Sequence, residues 1–149
     1  MKTIKIIRLS QSEEGQSLIE LALSLVVLLI LLAGVVDFGR LAFYYIAMRD
    51  SAQEGASYGS IFPNDCDEII NRVEAGAVDT NRINVTLTIN GDVCKPCKHK
   101  YIPGEIIEIT VNDPNFPLTM PFIGVFIGKN EISLETTIKD NIVRVPVCP

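Results

Sequence analysis

The sequence predicts an α+β protein. One long N-terminal helix continues into a small head with a short helix and a three- to four-stranded antiparallel sheet. Three observations predict this. Residues 21–36 form an uncharged apolar run, no proline interrupts the chain before Pro63, and three later stretches alternate apolar and polar residues. With 149 residues the chain holds one small domain plus an attachment. Its 48% hydrophobic content and mean hydropathy of +0.30 are high for a chain with 21% charge, and this run carries a disproportionate share of the excess. That pattern excludes a uniform soluble globule and a disordered chain, and too few residues remain for a multidomain enzyme.

Residues 16–36 read QSLIELALSLVVLLILLAGVV. As a helix they would extend about 31 Å, enough to cross a hydrocarbon core of about 30 Å. Lys2, Lys5 and Arg8 precede them. The positive-inside rule therefore keeps the N-terminus in the cytoplasm and sends the C-terminal part across. A secretory signal peptide would be shorter and would end in small residues; here Ala33 and Gly34 come late. A plain signal anchor and a processed leader remain.

Glu20 bears on that choice. A carboxylate in a bilayer helix costs about 2.5–3.5 kcal/mol, so it either snorkels to the headgroups or finds a cation. Cleavage after Gly15 would supply one. Gln16 would become the first residue, carrying a new α-amino group, and Glu20 the fifth. A short basic leader, Gly15 at the cut, Glu20 and the apolar run together resemble a prepilin processing site.

Beyond Val36 the spacing of Phe38, Leu41, Tyr45, Met48, Ala52 and Gly55 is a helical seam. Asp37, Arg40, Arg49, Asp50 and Glu54 fall largely off it. One helix over roughly 16–58 would be about 65 Å long, so its outer part, 37–60, must pack on its own head or on neighbouring helices. Tyr44 and Tyr45 suit the outer membrane interface.

The stretch from Gly15 to Tyr58 is similar to the TadE-like family, minor pilins or pseudopilins of tight-adherence (Tad/Flp) pilus systems. The matching elements are Gly15-Gln16-Ser17-Leu18-Ile19-Glu20, Asp37-Phe38-Gly39-Arg40, Tyr44-Tyr45, and Ala52-Gln53-Glu54-Gly55-Ala56-Ser57-Tyr58. The family often has Arg at the positions of Gln53 and Ser57. The resemblance implies a pilin-like fold and a membrane-inserted structural subunit. Its expected partners are the lipid bilayer, other pilin-like subunits, the Tad-type assembly platform and a prepilin peptidase. The major Tad pilins are usually much shorter, which implies a minor role.

The head is expected over 61–149. Asp65, Asp67 and Glu68 precede a helix-spaced set, Ile69, Ile70, Val73 and Ala77, with Gly76 as a stop. The acidic cluster reads as a helix cap and dipole complement rather than a cation site. Strands are expected at Ile83–Ile89, Ile107–Val111 and Ile132–Ile138, and a shorter edge strand at Val143, Val145 and Val147. Gly91-Asp92 and Pro103-Gly104 signal turns. Residues 112–128 read as a loop or short helix between strands. Its apolar run, 118–127, either covers the core or faces a membrane or partner. The family's tail has a similar Pro-Leu-Thr-x-Pro stretch between strands.

Cysteines stand at 66, 94, 97 and 148, all after the apolar run. An even count on one side of a span fits two disulfides in an oxidising compartment, with three pairings open among Cys66, Cys94, Cys97 and Cys148. Zinc held by Cys94, Cys97 and His99, or redox chemistry of Cys94 and Cys97, are the competing readings. We expect no metal and no cofactor. Residues 16–149 hold ten basic and sixteen acidic groups, net −6, which argues against nucleic acid. His99, the only histidine, has no nucleophile arranged around it, and no phosphate or dinucleotide motif occurs, so no catalytic residue and no enzyme activity is expected. Asn84-Val85-Thr86 matches a glycosylation sequon but reads as the solvent face of a strand. A second reading of the whole remains: an uncleaved single-pass protein displaying a disulfide-braced interaction domain as an accessory subunit of another membrane complex.

Overall fold

A computed structural model describes residues 13–96, 101–118 and 128–146, with side chains from residue 15. The first element, α1, is one unbroken helix, Glu13–Gly59. It starts three residues before the expected boundary, so Gly15 lies inside it. The chain divides into two compact units, Met1–Val36 and Asp37–Pro149. In the first, Leu, Ile and Val from Leu18 to Val36 are exposed all round the helix. This helix is long and apolar enough to cross a membrane.

The second unit is an α+β, pilin-like head. α1 ends where Gly59 and Ser60 break the run before Pro63: the Ser60 N–H donates to the Ala56 carbonyl at 2.9 Å, and Ser60 Oγ donates to the Ser57 carbonyl at 2.8 Å. α2 spans Cys66–Gly76 and buries Cys66, Ile69 and Val73, one stripe at helical spacing. Asp67 and Glu68 occupy its first turn, where carboxylates complement the dipole. Asp65 is the N-cap residue, yet its side chain makes no capping bond; it accepts the Tyr58 hydroxyl at 3.2 Å instead. The expected side-chain cap is therefore corrected to a tie between α1 and α2.

The sheet has the order β2-β1-β3-β4, all antiparallel: β1 Asn84–Ile89, β2 Asp92–Val93, β3 Ile106–Pro117 and β4 Glu131–Asn141. Asn90 and Gly91, both at positive φ, make the two-residue turn between β1 and β2. The turn expected at Pro103-Gly104 is present, with the Glu105 N–H donating to the Ile102 carbonyl at 3.2 Å. β3 runs six residues past its expected end, into what was read as a loop. It accommodates Pro114 because the register against β4 shifts between Asp113 and Phe116, where a proline costs no ladder bond.

The fourth strand is β2, not Val143–Val147. Residues 142–146 are irregular; Val143 and Arg144 both donate to the Ser60 carbonyl rather than joining the sheet. Val147 and most of the apolar run, 119–127, lie outside the described residues.

The core lies on the face of the sheet that carries Leu87, Ile89, Ile107, Ile109 and Val111. It is covered by α2 and by the later turns of α1, through Met48, Ala52 and Ala56. A Cβ at Gly55 would collide with Val73 of α2, and one at Gly59 with Ile107 of β3. Small residues there are what allow α1 to lie against both. The buried stripe of α1 is rotated from the expected seam at its early end. Asp37, Tyr44 and Met48 are buried, whereas Phe38 is 73% exposed and Tyr45 39%. The aromatic cluster described next draws Tyr44 inward.

Candidate functional site

The expected site residues fall into three groups. Gly15, Gln16 and Glu20 lie in the first unit on exposed helix, and a Cβ on Gly15 would meet nothing within 4 Å. The second group, Asp37-Phe38-Gly39-Arg40, opens the head. Asp37 is buried and pairs with Arg40 at 3.9 Å across one helical turn. Phe38 and Gly39 face outward, and Gly39 also has open space where a Cβ would stand. In the third group Gly55 and Ala56 belong to the core, while Glu54 is exposed and reaches Arg72 of α2 at 3.8 Å. Arg72 also pairs with Glu68 at 3.1 Å and lies 4.1 Å over the Tyr58 ring. The family-like residues therefore divide between those that build the head and those left on its surface.

A second cluster was not anticipated. Asp113, at the β3 irregularity, is fully buried, and Arg82 from the α2–β1 connection meets it at 2.8 Å. The same guanidinium donates to the Asn115 carbonyl at 3.1 Å and lies 5.6 Å from the rings of both Tyr44 and Phe116. Those two rings pack with centroids 4.9 Å apart. Asp113 accepts the Asn115 N–H at 3.0 Å through its other oxygen. The Tyr44 hydroxyl is buried beside this carboxylate without a hydrogen bond of ordinary geometry. Burial, and then the neighbouring Asp113, push its pKa up to about 12.

With Arg40, Phe43, Val78 and Asp79, the residues Tyr44, Arg82 and Phe116 line an open cavity of about 290 Å³. The cluster pins α1 to both the α2–β1 connection and β3. Its signal in the sequence was slight: Asp113 fell in the stretch expected to lie between strands, and nothing local linked it to Arg82, thirty-one residues earlier.

Cys66 and Cys94 form a disulfide that joins α2 to the chain just after β2. This overturns the zinc and redox readings that used Cys94, because its sulfur is already bonded to Cys66 and not to Cys97. Cys97, His99 and Cys148 lie outside the described residues. Among the described residues no group of three or more His, Cys, Asp or Glu side chains could hold a metal ion.

Residues 15–57 match the family model described as TadE-like protein. The matched segment is TadE-like. It covers most of α1, from the expected cleavage glycine to the small residues that pack on α2 and β3, so all three motif groups lie within it. The sheet and α2 lie outside the match. No curated protein and no solved structure matches the chain.

Proposed function

We propose that this protein is a minor pilin or pseudopilin of a Tad/Flp-type pilus system, anchored in the membrane by the apolar part of α1. The observation that carries the reading is the TadE-like match, which starts at Gly15 and continues through a helix able to span a bilayer. Prepilin peptidase cleaves after Gly15, and the new Gln16 amino group neutralises Glu20 of the same or a neighbouring subunit. The N-terminus faces the cytoplasm and the head is extracytoplasmic. The role is structural rather than enzymatic, with other pilin-like subunits and the assembly platform as partners. Exposure of Gly15, Gln16 and Glu20 supports this reading, since a processing site must be reachable.

An extracytoplasmic head is also consistent with the Cys66–Cys94 bridge. We assign the remaining pair, Cys97 and Cys148, to a second bridge. That pair is what the expectation of two bridges leaves once Cys66 is joined to Cys94.

Intact-mass spectrometry of the protein purified from cells holding the cognate peptidase tests these points together. The expected species begins at Gln16 and is lighter by four hydrogens than its fully reduced form. A species that retains Met1–Gly15 would instead support an uncleaved anchor. Glu20→Ala is expected to hinder assembly more than membrane insertion; an equal loss of both would mean that Glu20 serves insertion.

A further inference from the structure

The sheet has two edges, and they differ. β2 is two residues long, whereas β4 is eleven and, among the described residues, pairs only with β3. Among the described residues the chain after Asn141 does not return to cover it: Val143 and Arg144 donate to the Ser60 carbonyl instead. A long edge with unpaired backbone groups is a template for another strand, and proteins usually block it. Here the guards are charges, and their order along the strand is self-complementary.

We infer that β4 is a homotypic interface, pairing antiparallel with β4 of a second copy about a two-fold axis at Thr137. In that register Glu135 of each copy stands opposite Lys139 of the other. Both residues are exposed and share the solvent face of the sheet. On that face Lys139 already meets Glu108 of β3 at 3.1 Å, and Glu135 accepts from Asn112 at 3.0 Å. The joined sheet would carry the row Glu108, Lys139, Glu135 and Asn112 across the axis, with the two middle residues from different copies. A second row would run through the axis itself. Thr110 and Thr137 share a hydrogen bond at 3.0 Å, and Thr137 would meet its own copy. A parallel pairing in register would set Glu135 against Glu135 and Lys139 against Lys139, which like-charge repulsion disfavours. The charges that protect the edge from unselective pairing thus select one partner and one direction. The inference does not depend on the pilus reading, since it uses only the head.

Cysteine cross-linking of the full-length protein in membranes tests it. Thr137→Cys is expected to give a disulfide-linked dimer on mild oxidation. Thr110→Cys, on the same face but on β3, which is paired on both sides there with Thr86 and Thr137, is expected to give none. Adding Lys139→Glu to the Thr137→Cys protein should cut the dimer about fivefold, and adding Glu135→Lys as well should restore much of it. Circular dichroism of each variant checks that the head remains folded. Equal dimer from both cysteine positions, no dimer from Thr137→Cys, indifference to Lys139→Glu, or a cross-link to a different protein would each overturn the inference.

Discussion

At the scale of single residues the head depends on a buried charge. Asp113 is fully buried and is held by Arg82, which is 30% exposed. Removing Arg82 would leave the carboxylate buried without its cation, whereas neutralising Asp113 would free a guanidinium that can reach water. Arg82→Ala is therefore expected to cost about 2–3 kcal/mol, less than the about 3–5 of a fully buried pair, and more than Asp113→Asn. Urea unfolding followed by circular dichroism measures the order.

Tyr44 adds a pH dependence. Its folded pKa of about 12 is above the ordinary value of 10.0, so its contribution is fully present below pH 10. That contribution is lost as pH rises towards 12. The stability of the native protein relative to Tyr44→Phe should fall across that window and stay level below it. A level difference throughout would show that the phenol ionises as freely folded as unfolded.

At the scale of elements α1 holds two kinds of glycine. Gly55 lies against Val73 and Ile109, while Gly39 has open space around it. Alanine gains about 1 kcal/mol of helix propensity over glycine at either site, but overpacking costs about 1–3 kcal/mol where there is no room. Gly39→Ala should leave the head as stable or more stable. Gly55→Ala should show no gain, and Gly55→Val a clear loss by thermal unfolding. If Gly39→Ala nonetheless impairs assembly, the need for glycine at that position comes from outside the chain.

The disulfide acts between elements. It closes a loop with a sequence separation of 28, and Cys66→Ser is expected to lower stability by about 3 kcal/mol through the entropy of the unfolded chain. Urea unfolding of the native and Cys66→Ser proteins, both without reductant, measures this.

The two helices were legible at this scale because they rest on local signals, whereas the cap expected of Asp65 was not, since its carboxylate is drawn to Tyr58 of α1. An uninterrupted apolar run, the seam after it and Pro63 place α1, and Ile69 and Val73 place α2. The extension of β3 through Asp113-Pro-Asn was not legible. A proline is tolerated there only because the register shifts, and register is a property of the pair of strands. The strand expected at Val143–Val147 failed for a related reason: alternation licenses a strand, but Ser60 took the backbone donors.

At the scale of the whole molecule the two units meet different surroundings. Among the described residues the buried side chains all come from Asp37 onward, and Leu18 to Val36 of the first unit expose their apolar surface. A fragment of residues 37–149 is therefore expected to fold without detergent and to keep the sheet's circular dichroism, whereas the full chain needs detergent. Aggregation of the fragment would mean that the exposed Phe38 and Phe43 require cover from lipid or a partner.

The sequence by itself determined the membrane-length helix, the α+β class, the TadE-like motif and the Gly15/Glu20 spacing. Each is written in contiguous residues and follows from periodicity, charge or spacing along one segment. Only the tertiary structure decided that Tyr44 turns inward while Phe38 stays out, that Arg82 answers Asp113, that Cys66 chooses Cys94, and that β4 stands at the end of the strand order. Those outcomes depend on which distant segments share one small core. Burial makes a partner obligatory for a charge or a backbone donor, and the fold alone determines which partner is within reach.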